Sequence, residues 1–302
     1  MWIRTFPTQR NLMSYRIDPS PAGNGTSLVH YERDATIVLV GCGGTGGFLA
    51  EAVCRLLLGR NARLYLVDPD RVEPHNVTRQ CFDRCDTGAF KAENLAQRLA
   101  RRFGREVGYS VAPYDRELHA QVFSDRRSRL NLLISGVDNA AARRALAATL
   151  DEPSVSYGYS IYQSVWWLDL GNGRNSGQAL LGNATRPDGL RGAFVPSLDL
   201  CRALPAPSFQ RPDLLDAPPA PELAPDCAEA VLAGAQGPTI NQVVAAFAAS
   251  FVENLLSGTC RWMASYFDLD DGTLRCVPAD PKLVASIAGL HPNAVAPPAR
   301  SA

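Results

Sequence analysis

An excess of charge of either sign is missing from this chain. Lysine plus arginine and aspartate plus glutamate number 30 each, so the formal net charge is zero. A global field that would draw nucleic acid is therefore absent, and no nucleic-acid partner is expected. No run approaches about 20 uninterrupted apolar residues, which argues against a membrane span. The opening Met1-Trp2-Ile3-Arg4-Thr5-Phe6-Pro7 lacks the hydrophobic core of an export signal. The eight cysteines never fall into C-x-x-C spacing. In a chain of 302 residues that pattern points to free thiols in a reducing cytoplasm. Histidine is scarce, and His30, His75, His119 and His291 lie too far apart to read as a cluster. No internal repeat is evident.

What the chain does contain is an alternation of strand and helix patterns. Residues 36–41 read as a buried parallel strand, short, apolar and ended by glycine. Residues 45–58 have helical spacing with Gly59 as the stop, 63–68 form a second strand, and 90–103 a second helix ended by Gly104. Strands are expected at 107–111 and 131–135, with an alanine-rich helix over 139–150. This order predicts an α/β fold, a doubly wound, Rossmann-like, mostly parallel sheet. The pattern then changes to antiparallel C-terminal strands, at 164–170 and 178–181 around a turn Gly171-Asn172-Gly173, and a hairpin over 262–277. Between them a helix begins at Thr239, with Val243, Phe247, Phe251 and Leu255 on one face. The expected organisation is an N-terminal arm (1–34), one domain (35–286) containing a mobile Pro-rich segment (203–226), and a disordered tail (287–302).

The chemistry concentrates in residues 41–91. Gly41, Gly43 and Gly46 have the spacing G-x-G-x-x-G after a strand, and Gly44 lies within it. Glycine lets the backbone turn tightly and approach a phosphate, and the helix that follows presents free N–H groups. Asp68 ends the second strand about 20 residues on, where an acid can accept hydrogen bonds from ribose hydroxyls. These features alone do not separate a dinucleotide from ATP. Arg79 and Lys91 favour ATP, because a splitting triphosphate has more charge to offset and a guanidinium fork suits phosphate oxygens. Asp138 follows the strand at 131–135. A carboxylate there either holds Mg²⁺ beside substrate phosphates or caps the next helix.

The run D-x-D-x-V-x-x-x-N-x-x-R-Q over 68–80, with the glycine loop, Lys91 and Val137-Asp138-Asn139, resembles the ThiF/MoeB/ubiquitin-activating enzyme superfamily. Those enzymes adenylate the C-terminal carboxylate of a ubiquitin-like protein. By position, the resemblance implies that Asp68 binds ribose and that Asp70, Asn76 and Gln80 line the nucleotide pocket. It also implies that Arg79 and Lys91 contact phosphates and Asp138 holds Mg²⁺. The segment Trp167-Leu168-Asp169-Leu170-Gly171-Asn172-Gly173, with Ser176-Gly177-Gln178, Pro225-Asp226-Cys227-Ala228-Glu229-Ala230 and Thr239-Ile240-Asn241-Gln242, is similar to a narrower branch, the ThiF-family proteins of PRTRC cassettes. That branch implies a small ubiquitin-like (β-grasp) partner and a homodimer. Many relatives bind a structural Zn²⁺ through two C-x-x-C pairs; without such pairs here, no zinc is expected. Relatives that form a thioester carry the cysteine on a loop crossing the site. Cys201 and Cys227 flank the Pro-rich segment and are candidates, alongside ordinary packing roles.

The resulting expectation is ATP-dependent adenylation, with a thioester step left open. Three alternatives use the same glycine loop: adenylation of a small molecule or tRNA-bound carboxylate, an NAD(P)-dependent oxidoreductase, and a non-catalytic nucleotide-binding adaptor of a mobile-element system.

Overall fold

The computed structural model describes residues 13–20, 33–124, 128–150, 165–216 and 239–298. In chain order the strands are β1 (Arg16–Ile17), β2 (Arg33–Val40), β3 (Ala62–Val67), β4 (Gly108–Ser110), β5 (Ser128–Ser135), β6 (Val165–Asn172), β7 (Ser176–Gly182), β8 (Phe194–Val195), β9 (Leu200–Cys201), β10 (Trp262–Asp268) and β11 (Thr273–Pro278). The helices are α1 (Gly44–Leu56), α2 (Lys91–Phe103), α3 (Arg116–Val122), α4 (Ala140–Leu150), α5 (Pro207–Gln210), α6 (Ile240–Ser257), α7 (Pro281–Ala288) and α8 (Pro292–Val295).

An 8-stranded sheet runs in the order β11-β10-β7-β6-β5-β2-β3-β4. From β4 to β6 every pair is parallel. From β6 to β11 every pair is antiparallel. The expected α/β class with antiparallel C-terminal strands is therefore the one observed. The chain leaves β2 for β3 and β4 on one side and returns to β5 on the other. The carboxyl ends of β2 and β5 thus form the crevice where doubly wound sheets bind ligands.

Strand residues alternate between two cores. Ile37, Leu39, Leu132, Ile134, Trp166 and Leu168 face α1, α2 and α6. Val38, Val40, Leu133, Val165 and Trp167 face α3 and α4. This period of two is what a sheet covered on both faces requires. Helix α6 is the one described helix long and apolar enough to cross a membrane by length and composition. Here its face of Val244, Ala248, Phe251 and Leu255 is buried in the first core, against α1.

Several expectations are corrected. Strand β6 continues through Asn172, so the turn to β7 lies at residues 173–175, closed by Gly173 N–H donating to the Ser176 carbonyl at 2.8 Å. Of the segment expected to be mobile, residues 203–216 are packed. Leu204 and Ala206 are fully buried, and Asn183 and Ala184 donate to the Leu204 carbonyl. Residues 217–226 lie outside the described residues. The tail expected over 287–302 is docked as far as 296, where Val295 is fully buried and the Ala294 carbonyl accepts from Gly192 N–H; residues 299–302 lie outside the described residues. A second, 3-stranded sheet, β1-β9-β8, ties residues 16–17 to 194–201.

Candidate active site

The glycine loop is shaped by contacts that exclude any side chain. A Cβ at Gly46 would lie 1.8 Å from the Gly41 carbonyl oxygen, and one at Gly41 would lie 2.7 Å from the Gly136 carbonyl oxygen. Gly41 also sits at φ +91°, where L side chains are strained. The loop after β2 therefore touches the loop after β5. Gly43 is the N-cap of α1 and brings no side-chain acceptor, and the first turn holds no acidic residue. The first turn of this 13-residue helix thus brings no side-chain compensation of its own to the positive end.

Asp68 follows β3 and is buried. Its Oδ2 accepts from Cys42 N–H at 2.6 Å and its Oδ1 from Asp70 N–H at 2.8 Å. Burial pushes its carboxyl above the ordinary value, against the pull of those two amides and of Lys91. Asp68 is therefore a main-chain clamp between β3 and the glycine loop, within which any ribose contact must fit. Lys91 opens α2 and is 8% exposed. Its Nζ meets Asp70 Oδ2 at 3.0 Å, while its amide donates to the Asp70 carbonyl. Asp70 itself is exposed. The ammonium is held at the mouth of the site by one solvent-facing carboxylate, which leaves donors to spare.

Asn76 is buried, but it shapes the backbone. Its Oδ1 accepts from Glu73 N–H at 3.0 Å, and its carbonyl accepts from Arg79 and Gln80 N–H, closing the 3₁₀ turn Pro74–Thr78. That turn delivers Gln80 to the glycine loop. The Gln80 amide packs over Gly43, with Nε2 3.6 Å from a Cβ built there, and its buried Oε1 has no hydrogen-bond partner among the described residues. Among the described residues the half-buried Arg79 side chain has no hydrogen-bond or ion-pair partner. The Gln80 oxygen, beside Gly43, is a group that a ligand at the loop could satisfy.

On the other rim, Asp138 is exposed and its carboxylate is met by the Asn139 amide at 3.3 Å. The cap of α4 is supplied by Asn139, whose Oδ1 accepts from Ala142 N–H at 2.8 Å. That removes the capping role for Asp138, whose Oδ1 accepts only from the neighbouring Asn139 amide among the described residues. Among the described residues no group of three or more histidine, cysteine or acidic side chains could hold a metal by itself. One exposed carboxylate is compatible with Mg²⁺, which takes one or two carboxylates and completes its shell with phosphate and water oxygens.

Cys201 must be corrected. It is fully buried in β9, its thiol donates to the Ala203 carbonyl, and burial pushes its pKa well up. It is a core thiol, because a thiolate there would be desolvated with no cation to offset it. Cys227 lies outside the described residues. Three polar residues near the loop carried no role in the sequence reading. Asn241 Oδ1 accepts from Thr45 Oγ1 at 3.0 Å and from Asn172 Nδ2 at 2.7 Å, joining α6 and β6 to the first turn of α1. A Cβ at Gly44 would lie 2.3 Å from Asn241 Nδ2, so the third loop glycine is fixed by this packing. The available signal was a polar residue at a helix start otherwise expected to be buried.

The sequence profile of the ThiF family matches residues 30–270. The chain belongs to the ThiF family. This ThiF-family chain is 32% identical over 130 residues to ubiquitin-like modifier-activating enzyme 5 of Xenopus laevis, covering 40% of this chain and 32% of that protein. It is 30% identical over 113 residues to the ATP-dependent ubiquitin transferase-like protein Cap2 of Vibrio cholerae, covering 37% of this chain and 19% of that one. It thus spans about a third or less of the length of these curated relatives. Among solved structures it is similar to PaaA, with a TM-score of 0.53 at 15% identity over 81% of this chain and 72% of that one. It is also similar to E. coli MccB crystallised with MccA-N7isoASN, with a TM-score of 0.52 at 17% identity over 82% and 65%. At such identities the likeness is one of fold.

Proposed function

We propose that this chain activates a carboxylate by adenylation with ATP, the carboxylate being the C-terminus of a small ubiquitin-like, β-grasp protein. The observation that carries the reading is a helix end without a side-chain cap behind a tight glycine loop, with Lys91 paired to the exposed Asp70, Arg79 without a side-chain partner among the described residues, and the exposed carboxylate of Asp138 after β5. A nicotinamide dinucleotide would leave these cations without a task. The names of the relatives, one activating ubiquitin-like modifiers and one ATP-dependent, point the same way.

In this reading the substrate carboxylate, already ionised at neutral pH, attacks the α-phosphorus. A carboxylate-oxygen-to-phosphorus bond forms, the bond from the α-phosphorus to the bridging oxygen breaks, and pyrophosphate leaves. No side-chain base is needed. The α1 amides would cradle phosphate oxygens, and Asp68 and Gln80 would orient the nucleoside side. Arg79 and Lys91 would offset charge on the departing group. Mg²⁺ arriving with ATP would be held by Asp138 and would supply further charge neutralisation. The same reading has the chain working as a cytoplasmic homodimer, with the ubiquitin-like partner encoded in a PRTRC-type cassette. A thioester step would fall to Cys227.

The test is pyrophosphate–ATP exchange in the presence of a candidate ubiquitin-like partner. Lys91→Ala and Asp138→Ala should each lower exchange by about 100-fold or more, the scale of removing a transition-state electrostatic contact. Exchange at the wild-type rate in both variants would refute the assignment.

A further inference from the structure

A buried ionic network lies directly beneath Asp138 and takes no part in the chemistry just described. Asp169 on β6 is fully buried and Arg143 in the first turn of α4 is 9% exposed. Arg143 Nε donates to Asp169 Oδ1 and Oδ2 at 3.2 and 3.3 Å. Ser135 Oγ, at the end of β5, donates to Asp169 Oδ1 at 2.6 Å and accepts from Trp167 Nε1 at 2.7 Å. The far end of the guanidinium does something else. Arg143 Nη2 donates to the Val137 carbonyl at 2.7 Å and to the Leu170 carbonyl at 3.2 Å. The Arg143 backbone amide donates to the Asn139 carbonyl at 3.3 Å. One residue thus grips the peptide before Asp138 with its side chain and the residue after Asp138 with its main chain.

Burying an ion pair gives little net stability, since leucine and methionine of similar volume commonly serve as well or better. What an aspartate–arginine pair supplies and an apolar pair cannot is a directed donor aimed at a chosen carbonyl. We propose that Arg143, oriented by Asp169 and Ser135, is a positioning residue that fixes the Val137-Asp138-Asn139 turn and so sets where the Asp138 carboxylate meets the Mg²⁺–phosphate group. This rests on the reading of Asp138 given under the proposed function. The network touches only the backbone on either side of Asp138, so its effect on the site is indirect.

The experiment uses Arg143→Lys, Asp169→Asn and the apolar double variant Arg143→Met/Asp169→Leu, with Asp138→Asn as reference. Three measurements are made on each full chain: thermal midpoint, amide hydrogen exchange of the peptide covering 136–140, and the dissociation constant for Mg²⁺·ATP by calorimetry. The double variant should melt within a few degrees of wild type. It should nevertheless show faster exchange at 136–140, unchanged exchange in β2, and Mg²⁺·ATP affinity weakened about 10-fold or more, the scale of losing an outer partner of a metal ligand. Asp138→Asn should weaken binding less in that background than in wild type, because both changes act through one carboxylate; equal losses in the two backgrounds would overturn the link. Unchanged exchange at 136–140 in every variant overturns the proposal. A loosened turn with wild-type affinity overturns the link to Asp138. Wild type that binds no Mg²⁺·ATP overturns the functional reading instead, and the exchange data then decide by themselves whether the network fixes the turn.

Discussion

Gly46 lies in the first turn of α1 and Gly59 just beyond its end, and they answer to different physics. Gly59 follows the helix at φ +72° with open space where a Cβ would go. Alanine there would cost about 1 kcal/mol in backbone strain and entropy. At Gly46 the added carbon would meet a backbone oxygen at 1.8 Å, and the neighbour is main chain held by its own hydrogen bonds. Gly46→Ala should therefore cost about 3 kcal/mol or more in urea unfolding, well above Gly59→Ala, the range of strongly disruptive core changes. Equal losses would mean that the loop relaxes freely. The same distinction explains which site residues sequence alone could place. Glycines, Asp68 and Lys91 follow from spacing. The duties of Asn76 and Asp68 as backbone clamps depend on which amide ends up within reach, and no spacing rule encodes that.

Helix α3 is the clearest case at the level of elements, because the sequence reading missed it and the structure shows what holds it. Asp115 caps it by accepting from Leu118 N–H at 2.9 Å, a local signal that could have found it. Its anchor is non-periodic: Tyr114 OH and His119 Nδ1 are 2.7 Å apart, and the His119 and Phe123 rings lie 5.0 Å apart. Burial pushes the His119 pKa down to about 4, from an ordinary value near 6.5. The unfolded chain thus takes up this proton before the folded one. Stability from this group is complete above about pH 6.5 and is lost as pH falls toward 4, by about 2–3 kcal/mol at pH 4.5. Urea unfolding at pH 7 and 4.5 should show that loss in wild type and a smaller one in His119→Gln; equal losses would remove His119 as the cause. The long periodic elements, β2, α1, α2 and α6, were legible because burial imposes their pattern. The β1-β9-β8 sheet was not, since strands of two residues carry no period and pair residue 16 with residue 200. Residues 203–216 looked mobile from proline content, but proline there sits at the first turns of α5 and the 3₁₀ turn Pro212–Leu215, where it is well tolerated.

The whole molecule is a sheet whose parallel and antiparallel halves meet at β6. If the crevice beside β2 takes ATP, ligand and folding are linked. Mg²⁺·ATP at 100 times its dissociation constant should add about 2.7 kcal/mol to stability and raise the thermal midpoint by a few degrees. NAD at the same concentration should leave it unchanged; the reverse result would favour the oxidoreductase alternative. Main-chain bonds also govern how this crevice can respond. Gly41 N–H is tied to the Val67 carbonyl and Gly136 N–H to the Val40 carbonyl, each at 2.8 Å, so three adjacent strands are laced together at the bottom of the cleft. Such a base cannot yield to an incoming guest without unravelling the sheet itself. Accommodation, admission and release must then fall to the segments along its margins, foremost residues 69–90. Those margins are where descendants of this chain could change clientele while keeping the same bedrock.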